Sequence, residues 1–325
     1  MVCQYASNNF SKESLKMQDK IVLGHNQFFG VNHLVAQTGN EKEAYFNDIK
    51  RIMDIIHFSN DHGVHAMMMS THERATLVTE AILKEPKLKN DFGVYLLVPY
   101  VAKYIKQANE KGLVNLVKEA IGGTNIQEKV SMFFRGGMGL ITKDMGKMVT
   151  TMIDFEVAKF RELNLRAIFL HDVMTDLILG WQLPEILQLF SDHIENKYNT
   201  TPAFCTKNLP KLMELLKQTS IKNPLIMASI NKLGYQVSPS GEAFEECLRN
   251  HELQLLAMST LAAGYLKPGE AYEYLFSLPR VDSVVVGVSS KEHATETFDE
   301  IRKHVEKNES KQSTTASDVV YVASN

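Results

Sequence analysis

Cysteine is scarce in this chain: Cys3, Cys205 and Cys247 are the only three among 325 residues. An odd number so widely scattered argues against a disulfide framework and against a zinc knuckle. Long apolar runs are missing as well, since none approaches the roughly 20 residues that span a bilayer. The opening MVCQYASNNFSKESLKMQDK carries charges where a signal peptide needs an apolar core. The expected compartment is therefore the cytoplasm, with no membrane partner. Charge of one sign is lacking too: 35 basic residues face 38 acidic ones for a net charge of −3, which gives nucleic acid and anionic lipid no electrostatic foothold. A small molecule is the expected partner, and nothing in the sequence speaks to oligomerisation. Short-period repeats are also absent.

What is present is apolar and alternating. With 44% apolar and 22% charged residues the chain can bury one barrel-sized core. Strand-like runs recur at KIVLG (20–24), VHAMMM (64–69), FGVYLLV (92–98), RAIFLH (166–171), PAFC (202–205), PLIMASI (224–230), LQLLAM (253–258) and SVVVG (283–287), with helical patterns between them. Eight strands too apolar to have a wet face predict a closed parallel (β/α)8 barrel, an α/β fold. The competing doubly wound sheet wants a glycine-rich fingerprint after its first strand, and GHNQFFG (24–30) is too sparse in glycine to be one. Residues 1–19 are expected as an N-terminal extension, 20–307 as the barrel domain and 308–325 as a polar, flexible tail. Between the third and fourth strands the chain spends more than one helix requires. That stretch includes FFRGGMGL (133–140) and a helical run near 143–163, so an insertion over 122–140, a lid or an extra helix, is expected there.

Helix starts follow several strands. Ser70 with Glu73, and Ser289 with Glu292, have the spacing of capping boxes. The turn at Gly287, Ser289 and Ser290 aims helix-start N–H groups above the eighth strand, where they suit a phosphate. Together, GVHAMMMSTHERATLVTEAI, LRAIFLHD, AMSTLAAGYLKPGEA and VVVGVSSKEHATETF resemble, in this order, the aldo-keto reductase barrel over roughly residues 20–305. In that family a Ser-Pro-Leu-x-x-Gly-x-Leu turn and a Gly-x-Ser-Ser helix start hold NADP(H). The matching positions are Ser259, Leu261 and Gly264 in Ser259-Thr260-Leu261-Ala262-Ala263-Gly264-Tyr265-Leu266, and Gly287, Ser289 and Ser290. The resemblance thus implies an aldo-keto-reductase-like TIM barrel with NADP(H) as a candidate cofactor.

The catalytic residues depart from that pattern. The family carries Asp and Tyr after the second strand, Lys at the end of the third and His at the end of the fourth. Here the second strand ends in Met67, Met68, Met69, Ser70 and Thr71, and the third in Val98 and Pro99. Only His171 falls in place. Tyr100 and Lys103, spaced one helical turn apart, are the candidates for a substitute acid with an adjacent cation. Histidine is plentiful at the strand ends: His25 with Asn26, then His33, His72 with Glu73, and His171 with Asp172. In a parallel barrel these loops gather at the C-terminal face, where catalytic groups sit. An imidazole beside a carboxylate serves as acid/base or as metal ligand, although no two histidines here have helix-borne zinc spacing, so a divalent metal is the weaker expectation.

The catalytic candidates are therefore His171, His25, Asp172, Tyr100 and Lys103, with Asn26, His33, His72 and Asn231 binding substrate. The leading expectation is His-centred acid/base chemistry on a small carbonyl-bearing or phosphorylated metabolite. An NAD(P)H-dependent oxidoreductase with a non-standard proton donor, a metal-dependent lyase or isomerase, and a non-catalytic nucleotide-binding barrel stay open beside it.

Overall fold

Alternation within each strand decides which side chains fill the centre of the molecule. In the computed structural model, which describes residues 19–29, 44–100 and 145–322, eight strands form the sheet. They are β1 (Ile21–Leu23), β2 (Ala66–Ser70), β3 (Gly93–Val98), β4 (Asn164–Leu170), β5 (Thr201–Thr206), β6 (Leu225–Ser229), β7 (Gln254–Met258) and β8 (Ser283–Val286). Neighbours pair in parallel and in sequence order. Ile21 opposite Val284 and Leu23 opposite Val286 join β8 to β1 and close the ring.

Odd and even positions then part company. Val22, Ala66, Met68, Tyr95, Leu97, Ala167, Phe169, Ala203, Cys205, Leu225, Met227 and Leu256 pack on one another inside the ring. The intervening residues, such as Leu23, Met67, Met69, Val94, Leu96, Ile168 and Ile226, face the surrounding helices in a second, larger cluster. Side chains buried on both faces explain why these strands read as unbroken apolar runs. Phe28 and Phe29 belong to the outer cluster, so this pair is core.

The helices are α1 (Ile49–Asp61), α2 (Glu73–Leu83), α3 (Pro86–Asp91), α4 (Met145–Val157), α5 (Asp172–Trp181), α6 (Pro184–Tyr198), α7 (Leu209–Leu216), α8 (Gly241–Asn250), α9 (Pro268–Leu275) and α10 (Lys291–Val322). Two helix starts differ from expectation. Ser70 ends β2 as a buried strand residue, and His72 caps α2 by accepting the Arg74 N–H at 3.0 Å, so no Ser70–Glu73 capping box forms. At α10 the cap is Ser290, whose Oγ accepts the His293 N–H at 3.2 Å, one residue later than the box predicted from Ser289. Helix α10 also runs through the polar segment after 308. The expected insertion at 122–140, with His33 and Lys103, lies outside the described residues. No helix among those described is long and apolar enough to cross a membrane.

Candidate active site

Each strand hands its alternation to the residue that follows it. The inward positions Phe169 in β4 and Cys205 in β5 are succeeded, two residues on, by His171 and Lys207. The His171 amide still donates to the Val98 carbonyl at 2.7 Å, so the ladder extends past β4 and holds this residue at the mouth of the ring. His25 follows β1 in a tight turn whose Phe28 N–H bonds back to the His25 carbonyl at 2.9 Å.

Three imidazoles meet at this mouth. Burial lowers the pKa of His25 to about 3, and the nearby rings of His171 and His72 push in the same direction, against one hydrogen bond from His25 to the Met68 backbone. His25 is therefore neutral across the physiological range. An aromatic stack runs alongside: His25 tilts against Phe29, Phe29 lies flat on His72 at 5.0 Å, and Tyr100 meets the edge of His72 at 4.9 Å. With Nδ1 of His72 accepting an amide, the proton of its neutral ring sits on Nε2.

His171 has the opposite tautomer. Its Nδ1 lies 2.6 Å from Asp172 Oδ1 and 3.3 Å from the Val173 nitrogen, and one ring nitrogen cannot donate to the first while accepting from the second. Geometry alone would let His171 cap α5 by accepting the Val173 N–H, but that N–H has a closer acceptor in Asp172 Oδ1 at 2.9 Å and His171 lowers the Asp172 carboxyl by hydrogen bonding to it, so the ring proton is assigned to Nδ1. Nε2 is left as the proton-accepting atom, with no hydrogen-bond partner among the described residues. Burial alone would raise the Asp172 carboxyl, but the hydrogen bond from His171, and then Lys207 at 3.2 Å from Oδ2, hold it well below the usual carboxylate range.

Behind this pair stands a second carboxylate. Asp176, one turn further along α5, accepts the Thr206 hydroxyl at 2.5 Å and the Lys207 N–H at 3.2 Å. Burial raises its carboxyl, against those two hydrogen bonds. Lys207 and Asp176 are absent from the sequence candidates, because a fifth strand ending at Cys205 leaves the following Lys in a turn. The signal is the alternation itself, which makes 203, 205 and 207 one face. Glu156, only 3% exposed, takes a hydrogen bond from the Thr71 hydroxyl, whose oxygen also accepts the Tyr100 N–H at 3.1 Å. No sequence spacing points to that acid.

Other candidates are engaged in scaffold bonds. Asn231 is 3% exposed; its amide donates to the Tyr235 and Ser259 carbonyls, and its oxygen accepts the Tyr235 N–H at 2.8 Å. It holds the loop after β6 against the turn after β7. Lys232 instead pairs with Glu270 at the surface. Asn26 sits next to His25, half-buried, in the turn after β1. In the turn after β7, Ser259, Ala262, Ala263 and Gly264 all have positive φ, and the Ser259 hydroxyl meets that of Ser229 at 3.4 Å. At the next strand end a Cβ on Gly287 would stand 3.2 Å from the Gln27 side chain, so the loops after β8 and β1 touch there. Among the described residues no three His, Cys, Asp or Glu side chains converge as a metal site.

The chain matches no protein-family model and no curated protein by sequence. Its fold does have solved counterparts. A Pseudomonas aeruginosa protein provisionally assigned to the aldo-keto reductases superposes with a TM-score of 0.58 at 11% identity, over 88% of this chain and 91% of its own. A Bacillus halodurans aldo-keto reductase in its holo form gives 0.51 at 12% identity, over 90% and 95%. A Bombyx mori aldo-keto reductase in complex with NADP gives 0.50 at 10% identity, over 88% and 87%. The architecture is thus an aldo-keto-reductase-like (β/α)8 barrel.

Proposed function

We propose that this aldo-keto-reductase-like barrel is an enzyme that transfers protons on a small carbonyl-bearing or phosphorylated metabolite, with His171 as the acid/base. One observation carries this reading: the 2.6 Å contact between His171 Nδ1 and Asp172, which orients the ring and leaves Nε2 as the basic atom at the barrel mouth. In the first step His171 Nε2 takes a proton from a carbon or hydroxyl next to the substrate carbonyl, and Asp172 stabilises the imidazolium that results. In the return step the same atom gives the proton back. His25 has a different part: held neutral by burial and donating to the Met68 backbone, it carries no second proton to transfer and lines the pocket as a hydrogen-bond acceptor. His72, Asn26 and Tyr100 complete that wall.

The test works without the natural substrate. Dihydroxyacetone, its phosphate and related hydroxyketones are incubated with the protein in D2O, and loss of the carbon-bound hydrogen is followed by NMR. The expected result is exchange by the natural protein that falls by about 10²- to 10⁴-fold in His171→Gln. Equal exchange in the two proteins contradicts the role.

A second reading keeps a nicotinamide dinucleotide. It is favoured by the loops after β7 and β8, neighbours in the ring, which carry Ser259, Leu261 and Gly264 on one side and Gly287, Ser289 and Ser290 on the other. Bound NADPH would supply hydride to a carbonyl, and His171 or Tyr100 would supply the proton. A bound nucleotide with no catalysis, the sensor alternative, differs from both in leaving His171→Gln without effect.

A further inference from the structure

Resting on the acid/base role of His171, we infer that Lys207 is a positioning residue that acts through Asp172 to keep His171 a neutral base. The contacts form one chain. Asp172 Oδ1 takes the His171 Nδ1–H at 2.6 Å and the Val173 N–H at 2.9 Å, and Oδ2 faces the Lys207 ammonium at 3.2 Å. Lys207 is held in turn, because its own N–H and the neighbouring Thr206 hydroxyl both bond to Asp176. Two carboxylates one helical turn apart on α5 therefore grip the end of β5, one by its backbone and one by its side chain.

The electrostatic consequence follows from the order of charges. A lone carboxylate against an imidazole favours the imidazolium, so a ring paired only with Asp172 would keep its second proton to higher pH than one whose carboxylate is shared with a cation. A cation on the far carboxylate oxygen offsets that attraction while leaving the Nδ1–H bond intact. Among the described residues, the other charged or titratable groups facing the chain are Asp176 from α5, the Cys205 thiol on β5, pushed up by burial and by both carboxylates, and the neutral His25 from the loop after β1, with His72 beyond it. None of them replaces the Lys207 charge at Oδ2. At 40% side-chain exposure Lys207 is also open enough to be changed without opening the core.

The experiment is an NMR titration of the His171 ring in the full chain as the natural protein, Lys207→Met, Lys207→Arg and Asp172→Asn, with thermal unfolding of each variant to confirm that it is folded. Lys207→Met is expected to raise the titration midpoint of His171 by about one pH unit, and Lys207→Arg to restore it. Asp172→Asn is expected to lower it. If Asp172→Asn shifts the midpoint and Lys207→Met leaves it where it was, the Lys207 assignment is overturned while the dyad stands. If Asp172→Asn itself does nothing, the acid/base reading falls and takes this inference with it.

Discussion

His25 is where the chemistry of a single side chain becomes a property of the whole protein. Its folded-state value of about 3 lies below the ordinary 6.5, so between those limits the unfolded chain binds a proton that the folded one refuses. The sign follows: stability is full above pH 6.5 and declines as pH falls toward 3. Equilibrium unfolding in urea at about pH 6.5 and about pH 4.5 should show the natural protein losing about 2 kcal/mol more than His25→Gln between the two values. Equal losses would mean that His25 is hydrated or ion-paired in the folded state. The paired tautomers of His72 and His171 belong to the same scale. Each follows a strand end at the mouth, but the first ring accepts a backbone N–H while the second donates to a carboxylate. Sequence alone could gather both histidines at the mouth; their opposite protonation depends on hydrogen bonds that only the folded backbone supplies.

Among the elements, strands are the easiest to foresee and helix starts the hardest. Every strand lies at its expected place because residues such as Val94 to Val98 and Ile168 to Leu170 are buried on both sides, and burial on both sides leaves an unbroken apolar run. Capping depends on one hydrogen bond, and a neighbouring residue can supply it. Ser70 loses that role because β2 extends through it, and Ser289 loses it to Ser290. A boundary misplaced by one residue also hides Lys207, since ending the fifth strand at Cys205 removes the next inward position from view. The start of α10 carries a further consequence. Glu292, fully exposed, has its carboxyl lowered by its own backbone N–H and by the Ser290 hydroxyl, which places a negative charge at the helix start that the nicotinamide reading proposes for a phosphate. If NADPH binds at this turn, Glu292→Gln should tighten it by roughly twofold to fivefold in a fluorescence titration at low salt. Unchanged or weaker binding would put the dinucleotide elsewhere.

At the scale of the molecule, ring closure is what turns separated motifs into one site. His25, His72, His171 and Lys207 come from loops after four different strands, and the parallel order β1 to β8 sets all four loops at the same end. The likeness to aldo-keto reductases is one of architecture; at that end the second strand offers Ser70 and Thr71, the third Pro99, and the charge is carried by the fourth and fifth. The insertion expected at 122–140 lies outside the described residues, and its sequence carries no comparable signal, since its glycines fit a lid and an extra helix equally well. Across these scales the proposed chemistry depends on where one proton sits. Long-range nitrogen–proton correlation of the His171 ring in the natural protein near neutral pH should show Nδ1 protonated and Nε2 bare. A ring protonated on Nε2, with Nδ1 accepting the Val173 amide, would make His171 a helix cap like His72 and contradict its assignment as the base.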